Sequence, residues 1–280
     1  MMKILEKLIE LVNVEMEVPR FLGTFHVIFC VLVALGCALA IRMRDTSDRH
    51  FRISIAVMFS VMAILEIMKQ FVFHMSVSDG RVTLNYSFGD FPFQLCSTPL
   101  YVLPLLSFLP DSRLRDFAAS YTMTFGIIGG LAVYLVPKSV FINRVFINFQ
   151  TMIHHGLQIV SGVFTAAYFR RRVNRSFFYG GVKLFFFFFI IANLLNTVGY
   201  EALVALGAIE VGDSFNMFYI SPRPDQQIPM LSSLIKGIPP VIYIVGYFVV
   251  LTLISAFIAF LTRQITDIEN TEDVAEASAL

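Results

Sequence analysis

The chain has 280 residues, 57% hydrophobic and 15% charged, with a formal net charge of +1 and a mean hydropathy of +0.74. A soluble domain carries about 25% charged residues, so this composition excludes one, and the apolar surface is too large for a disordered chain. The near-neutral balance argues against a nucleic-acid partner, and three cysteines are too few for a disulfide scaffold.

The chain opens on an amphipathic pattern. Ile4, Leu5, Leu8, Leu11 and Val12 share one helical face, with Lys3, Glu6, Lys7 and Glu10 around the other. This predicts an interfacial helix over residues 1–18, and no apolar core or cleavage site marks a signal peptide. Seven apolar runs follow, each a candidate membrane span of about 20 residues. They cover 21–43, 51–75, 93–109, 114–136, 145–169, a stretch within 177–208, and 238–262. The third is short and contains Pro99 and Pro104; the sixth exceeds one crossing and must tilt, kink or protrude. The expected fold is therefore all-α, a polytopic transmembrane bundle of seven helices over residues 19–265. Residues 266–280, with five acidic side chains and few large apolar ones, read as a disordered tail.

Arginine and lysine set the expected orientation. The first loop holds Arg42, Arg44, Arg49 and Arg52, the third Arg113 and Arg115, and the fifth Arg170, Arg171, Arg172, Arg175 and Lys183. The alternate loops are poorer in both. This places the N-terminus outside, the C-terminus in the cytoplasm, and the protein in the cell membrane. The basic cluster at 170–175 reads as a topology signal that touches anionic head groups.

Polar groups inside hydrocarbon are costly and mark candidate sites. The second span carries Glu66, Lys69, Gln70 and His74, and the third begins with Gln94, Cys96 and Ser97. The fifth carries Gln150, His154, His155 and Gln158; the sixth carries Asn193, Asn196 and Glu201. With the predicted orientation all four sets fall in the outer half, so a polar cavity should open there. Each group also has a plainer use. Glu66 and Lys69, three apart, can neutralise each other. Asn193 and Asn196 can bond neighbouring helices, and Gly126 with Gly130 forms a close-approach GxxxG pair. Cys30 and Cys37 read as small packing residues. His154 and His155, about 100° apart on a helix, cannot both point the same way, and His155 is the favoured inward residue.

Cys96 sits near an expected helix start, with Asp90 to cap and Pro92 in the first turn. A helix N-terminus and a nearby imidazole would favour a thiolate; otherwise Cys96 is a small hydrophobe. The segments Phe91-Pro-Phe-Gln-Leu-Cys96, Phe125-Gly-Ile-Ile-Gly-Gly-Leu131, Ile153-His154-His155-Gly156 and Asn216-Met-Phe-Tyr219 before Pro222 resemble the YwaF-like integral membrane family. That family is related to the transmembrane protein 164 family of acyltransferases and, more distantly, to the androgen-induced membrane hydrolases. The resemblance implies a cysteine-dependent acyltransferase that remodels phospholipids through a thioester, with Cys96 as nucleophile and His155 as its partner. Phospholipid and lysophospholipid would be the substrates and the bilayer the medium. Gln94 stands where the family often has His. Asn196, or the Ser97 amide, could meet the developing oxyanion, with Gln94, Glu66 and His154 as further binding candidates. Neither cofactor nor metal is expected: zinc needs about three converging ligands, and only His74, one of His154 and His155, and Glu66 or Cys96 are available. Rival readings are a lipid hydrolase using the same pair, a transporter with polar groups through both leaflets, and a receptor-like or structural bundle.

Overall fold

The computed structural model describes residues 7, 14–78, 81–223 and 237–279. Seven helical segments occupy the seven predicted runs. They are α1 (Thr24–Arg42), α2 (Asp48–His74), α3 (Pro99–Phe108), α4 (Arg113–Leu135), α5 (Val145–Phe169), α6 (Arg175–Ala205) and α7 (Pro240–Ala279). Five of them, α1, α2, α4, α6 and the first part of α7, are long and apolar enough to cross a membrane. Their outward faces are crowded with large apolar side chains, including Val27, Val31 and Leu35 on α1 and Val241, Val245 and Val249 on α7. A water-soluble protein does not display such continuous apolar surface; this is a multi-pass membrane protein.

The most polar helix is the most enclosed. α5 packs against α1, α2 and α4, and fifteen of its 25 residues are buried. Its Asn148, Gln150, His154, His155 and Gln158 are all inside protein. Such side chains are tolerated at membrane depth because they never meet lipid. Three glycines allow the close approach. A Cβ on Gly130 would lie 2.8 Å from the His155 carbonyl and 2.7 Å from Ile159 Cγ1; one on Gly129 would lie 2.6 Å from Gln158 Nε2. Gly156 meets Tyr134 Oη at 2.7 Å in the same way. Gly126, the other member of the expected pair, has only ordinary contacts, 3.7 Å to the Tyr121 carbonyl.

One end of the bundle is held by ion pairs. Asp48 receives Arg52 and Arg115, each at 2.5 Å, and the Tyr168 hydroxyl at 3.2 Å. Arg170 reaches Asp45 at 2.7 Å, and Arg172 grips Asp111 with two nitrogens, at 2.9 and 3.0 Å. These contacts join the α1–α2, α3–α4 and α5–α6 connections, so the three basic loops do share one end. Ser47, Ser112 and Asn174 cap the helices that start there.

The structure departs from expectation in four places. α3 starts at Pro99, not near Pro92; Pro99 takes the first helical position, where its missing N–H costs nothing. Cys96 therefore lies ahead of α3, in a 3-10 turn, Leu95–Ser97. A short hairpin, Met75–Ser78 with Arg81–Leu84, follows α2. α7 runs on to Ala279, through the stretch that acidic composition had suggested was unstructured; its alanines and glutamates are good helix formers and no Gly or Pro interrupts it. Finally, most of the amphipathic segment 1–18 lies outside the described residues; at its end Glu15 pairs with Arg144 as an extended bridge.

Two expectations follow. Gly130→Ala should destabilise the protein by about 1–3 kcal/mol through overpacking, whereas Gly126→Ala should be neutral or better; thermal unfolding in one detergent compares them. Hydrogen bonds from Arg172 hold the Asp111 carboxyl below its usual range. A depressed carboxyl contributes stability above its unfolded value, about 3.9, and loses it as pH falls through the folded value. The Tm advantage of wild type over Asp111→Asn should therefore be full at neutral pH and vanish in strong acid.

Candidate functional site

At the end away from the ion pairs, α2 contributes Glu66, Lys69 and Gln70 from successive turns of one face. Glu66 is 5% exposed. Its carboxylate accepts from Lys69 Nζ at 2.7 Å, Gln70 Nε2 at 2.8 Å and, across the interface, Gln150 Nε2 at 3.5 Å. The expected mutual neutralisation is present, and the same charges act electrostatically on Cys96 and His155.

α5 contributes both histidines, 3% and 8% exposed, with ring centroids 5.3 Å apart. His154 Nε2 lies 3.1 Å from the Cys96 carbonyl oxygen; His155 Nδ1 lies 2.6 Å from the Thr151 carbonyl one turn back. A carbonyl only accepts, so each of these nitrogens carries the hydrogen. As neutral imidazoles the two rings take opposite tautomers. His154 Nδ1 and His155 Nε2 are left with lone pairs, and both are buried with no protein partner. The direct bond to the Cys96 residue belongs to His154; His155, favoured from the sequence, keeps the free Nε2.

Gln158 adds an amide whose two ends are also buried and unpartnered. Gly129 brings it against Cys96: a Cβ there would meet Gln158 Nε2, the Leu95 carbonyl at 3.2 Å and Cys96 Cα at 3.3 Å. Gln70 Oε1 and Gln94 Oε1 complete the set. A buried polar atom without a partner costs about 1–3 kcal/mol. A cluster of them around one cysteine is a place built to receive water or a polar ligand.

The fourth wall is a loop that drew attention only as a motif. Phe218 and Tyr219 both have φ of +57°, a left-handed conformation that costs a non-glycine residue roughly 1–2 kcal/mol. Side chains hold it there. Asn196 uses both ends of its amide, donating to the Met217 carbonyl at 2.8 Å and accepting the Met217 N–H at 2.7 Å. Gln94 Nε2 donates to the Asn216 carbonyl at 2.8 Å, and the Tyr243 hydroxyl to the Tyr219 carbonyl at 2.8 Å. Asn196 reaches the loop because α6 widens into a π turn, Leu195–Gly199, a feature often found near functional sites. Asn196 is therefore a clamp on the loop, with one of its two amide hydrogens committed to it. The Ser97 amide is likewise engaged, by the Gln94 carbonyl at 2.9 Å. Tyr121, which the sequence did not single out, donates its hydroxyl to Thr98 Oγ1 at 2.8 Å, two residues past Cys96. Among the described residues no three His, Cys, Asp or Glu side chains are grouped to hold a metal ion.

A polytopic helical membrane protein with a half-buried Cys96 beside buried His154, His155 and Gln158 is thus defined. The profile of the TMEM164 family matches residues 21–259, most of the chain, and the chain belongs to that family. No curated protein and no solved structure matches it.

Replacing Asn196 with Ala should leave the buried Met217 N–H unpaired, while the Met217 carbonyl keeps the Ile220 N–H at 3.3 Å. A loss of about 1–3 kcal/mol is expected, with faster amide hydrogen exchange at Met217. Unchanged exchange there would show that the loop is held without Asn196.

Proposed function

We propose that this protein is a cysteine-dependent acyltransferase that moves a fatty acyl chain from a phospholipid to a lysophospholipid through a thioester on Cys96. The observation that carries the reading is that His154 bonds the Cys96 carbonyl while the adjacent His155 leaves a buried Nε2 without a protein partner. His155 Nε2 takes the thiol proton. The thiolate attacks the ester carbonyl, the S–C bond forms, and the C–O bond to the glycerol backbone breaks. The leaving oxygen recovers its proton from the His155 imidazolium. A lysophospholipid hydroxyl, deprotonated by the same nitrogen, then takes the acyl group and frees the sulfur. The α3 N-terminus, just beyond Cys96, favours the thiolate. Water as acceptor would make the product a free fatty acid, the hydrolase reading.

Packing below the site favours an enzyme over a transporter. Phe125 and Phe185 stack at 4.1 Å, and Phe185 stacks on Phe248 at 5.3 Å. These rings fill this part of the bundle core with apolar groups, where a transport route would call for polar ones. The arginine-rich end sits in the cytoplasm under this reading, so the site opens to the extracytoplasmic leaflet of the cell membrane.

Purified protein incubated with phospholipid should gain a fatty-acyl-sized mass that is absent from Cys96→Ser. His155→Gln should slow adduct formation by roughly 10²–10⁴-fold. Lipid turnover at the wild-type rate in Cys96→Ser would overturn the proposal.

A further inference from the structure

Gln158 is fully buried, and neither end of its side-chain amide has a partner. Among the described residues it is the one buried amide in that state. Gln70 and Gln94 each leave an oxygen unpaired but commit the nitrogen, to Glu66 and to the Asn216 carbonyl. Asn216 leaves its nitrogen unpaired, while its oxygen accepts the Ser221 N–H at 2.8 Å. The Ser161 hydroxyl, one turn on, bonds the backbone carbonyl of Gln158 and not its side chain. An unpaired buried amide lowers the stability of the resting protein, so packing alone would favour an apolar side chain at this position.

Its place follows from helical spacing. Gln158 lies four residues past His154 and three past His155, one turn along on their side of α5. Side chains on a helix lean toward its N-terminus, which carries the amide back toward the two rings. Across the interface α4 presents Gly129. A Cβ there would lie 2.6 Å from Gln158 Nε2, 3.2 Å from the Leu95 carbonyl oxygen and 3.3 Å from Cys96 Cα. The missing side chain thus leaves one small gap that the amide nitrogen and the cysteine residue border together. Of the donors first considered for an oxyanion, the Ser97 amide is engaged by the Gln94 carbonyl, and Asn196 holds the loop at Met217.

We propose that Gln158 is a catalytic residue whose Nε2 donates a hydrogen bond to the carbonyl oxygen of the acyl group reacting at Cys96. The inference rests on the thioester reading. As sulfur attacks, the S–C bond forms and the carbonyl π electrons move onto oxygen; that oxyanion accepts an Nε2 hydrogen. When the electrons return and the C–O bond to glycerol breaks, the amide keeps both its hydrogens, and the leaving oxygen takes its proton from the His155 imidazolium. The bond is stronger to the oxyanion than to the ground-state ester, which is what an acceleration requires. A neutral amide suits this depth, because it needs no counter-ion while the site is empty.

The test compares wild type with Gln158→Met, which keeps the side chain's length and removes both polar ends. Two quantities are read on the full-length protein: the rate of acyl-adduct formation from phosphatidylcholine vesicles, by intact mass, and Tm in one detergent. Adduct formation should fall by about 10²–10³-fold, while Tm stays at or above that of wild type because an unpaired amide has been removed. Adduct formation at the wild-type rate would overturn the proposal and leave the thioester intact. A slower rate together with a lowered Tm, or a variant that does not fold, would also overturn it and assign Gln158 to holding the helices together. Absence of any adduct on wild-type protein would remove the thioester and this proposal together.

Discussion

A single hydrogen bond, from His154 to the carbonyl of Cys96, joins the one helix wrapped by others to the one span that is not helical throughout. Its strength comes from its surroundings. His154 is buried, so its N–H has little aqueous alternative to this bond. It fixes the His154 tautomer and, through the shared turn, the direction of His155. It also sets the height of Cys96 against α5. Glycines at 129 and 130 keep the helices close enough for the bond to form. Moving them apart would break it and expose the amide of Gln158 at once.

The polar cluster and the ion-paired end divide the work of the fold. Charged pairs at one end sit where water can reach several of them, so each contributes modestly, but together they tie three loops. The opposite cluster contains one saturated carboxylate, Glu66, and several neutral groups that protein does not saturate. Burying a charge demands partners, and Glu66 has three. Burying neutral acceptors demands less, which is why histidine and glutamine, not aspartate or arginine, line the space beside the cysteine. The aromatic stack between the two ends separates them electrically and sterically.

Hydropathy is a local property, and the number and rough extent of the helices were legible from it. The sharing of one end by the three basic loops was legible for the same reason: each helix reverses the chain. Pairing was less accessible. Gln94 meets Asn216 across 122 positions and Asn196 meets Met217 across 21, and no spacing rule announces either. The polar side chains of four spans were rightly gathered into one half, yet their tasks divide differently. Asn196 clamps a loop, Glu66 is neutralised, and His154, not only its neighbour, touches the cysteine residue. Tyr219 had no signal of its own, because nothing in a Phe-Tyr pair predicts two positive φ angles. The short α3 was marked by its prolines, but Pro92 and Pro99 are equally good first-turn residues, and only packing selected the second.

That choice has a chemical consequence. Ten helical residues rise about 15 Å, half of a hydrocarbon layer about 30 Å thick. α3 therefore cannot span the layer by itself, and the chain before it enters the bundle through a single 3-10 turn, not a regular helix. Irregular backbone at such depth is tolerated only where protein surrounds it or a polar cavity receives it. Here the Leu95 carbonyl takes the Thr98 hydroxyl at 2.6 Å, the Cys96 carbonyl takes His154, and the Asn216 carbonyl takes Gln94. The histidine and glutamine cluster is thus first a solution to a folding problem, the satisfaction of a broken span.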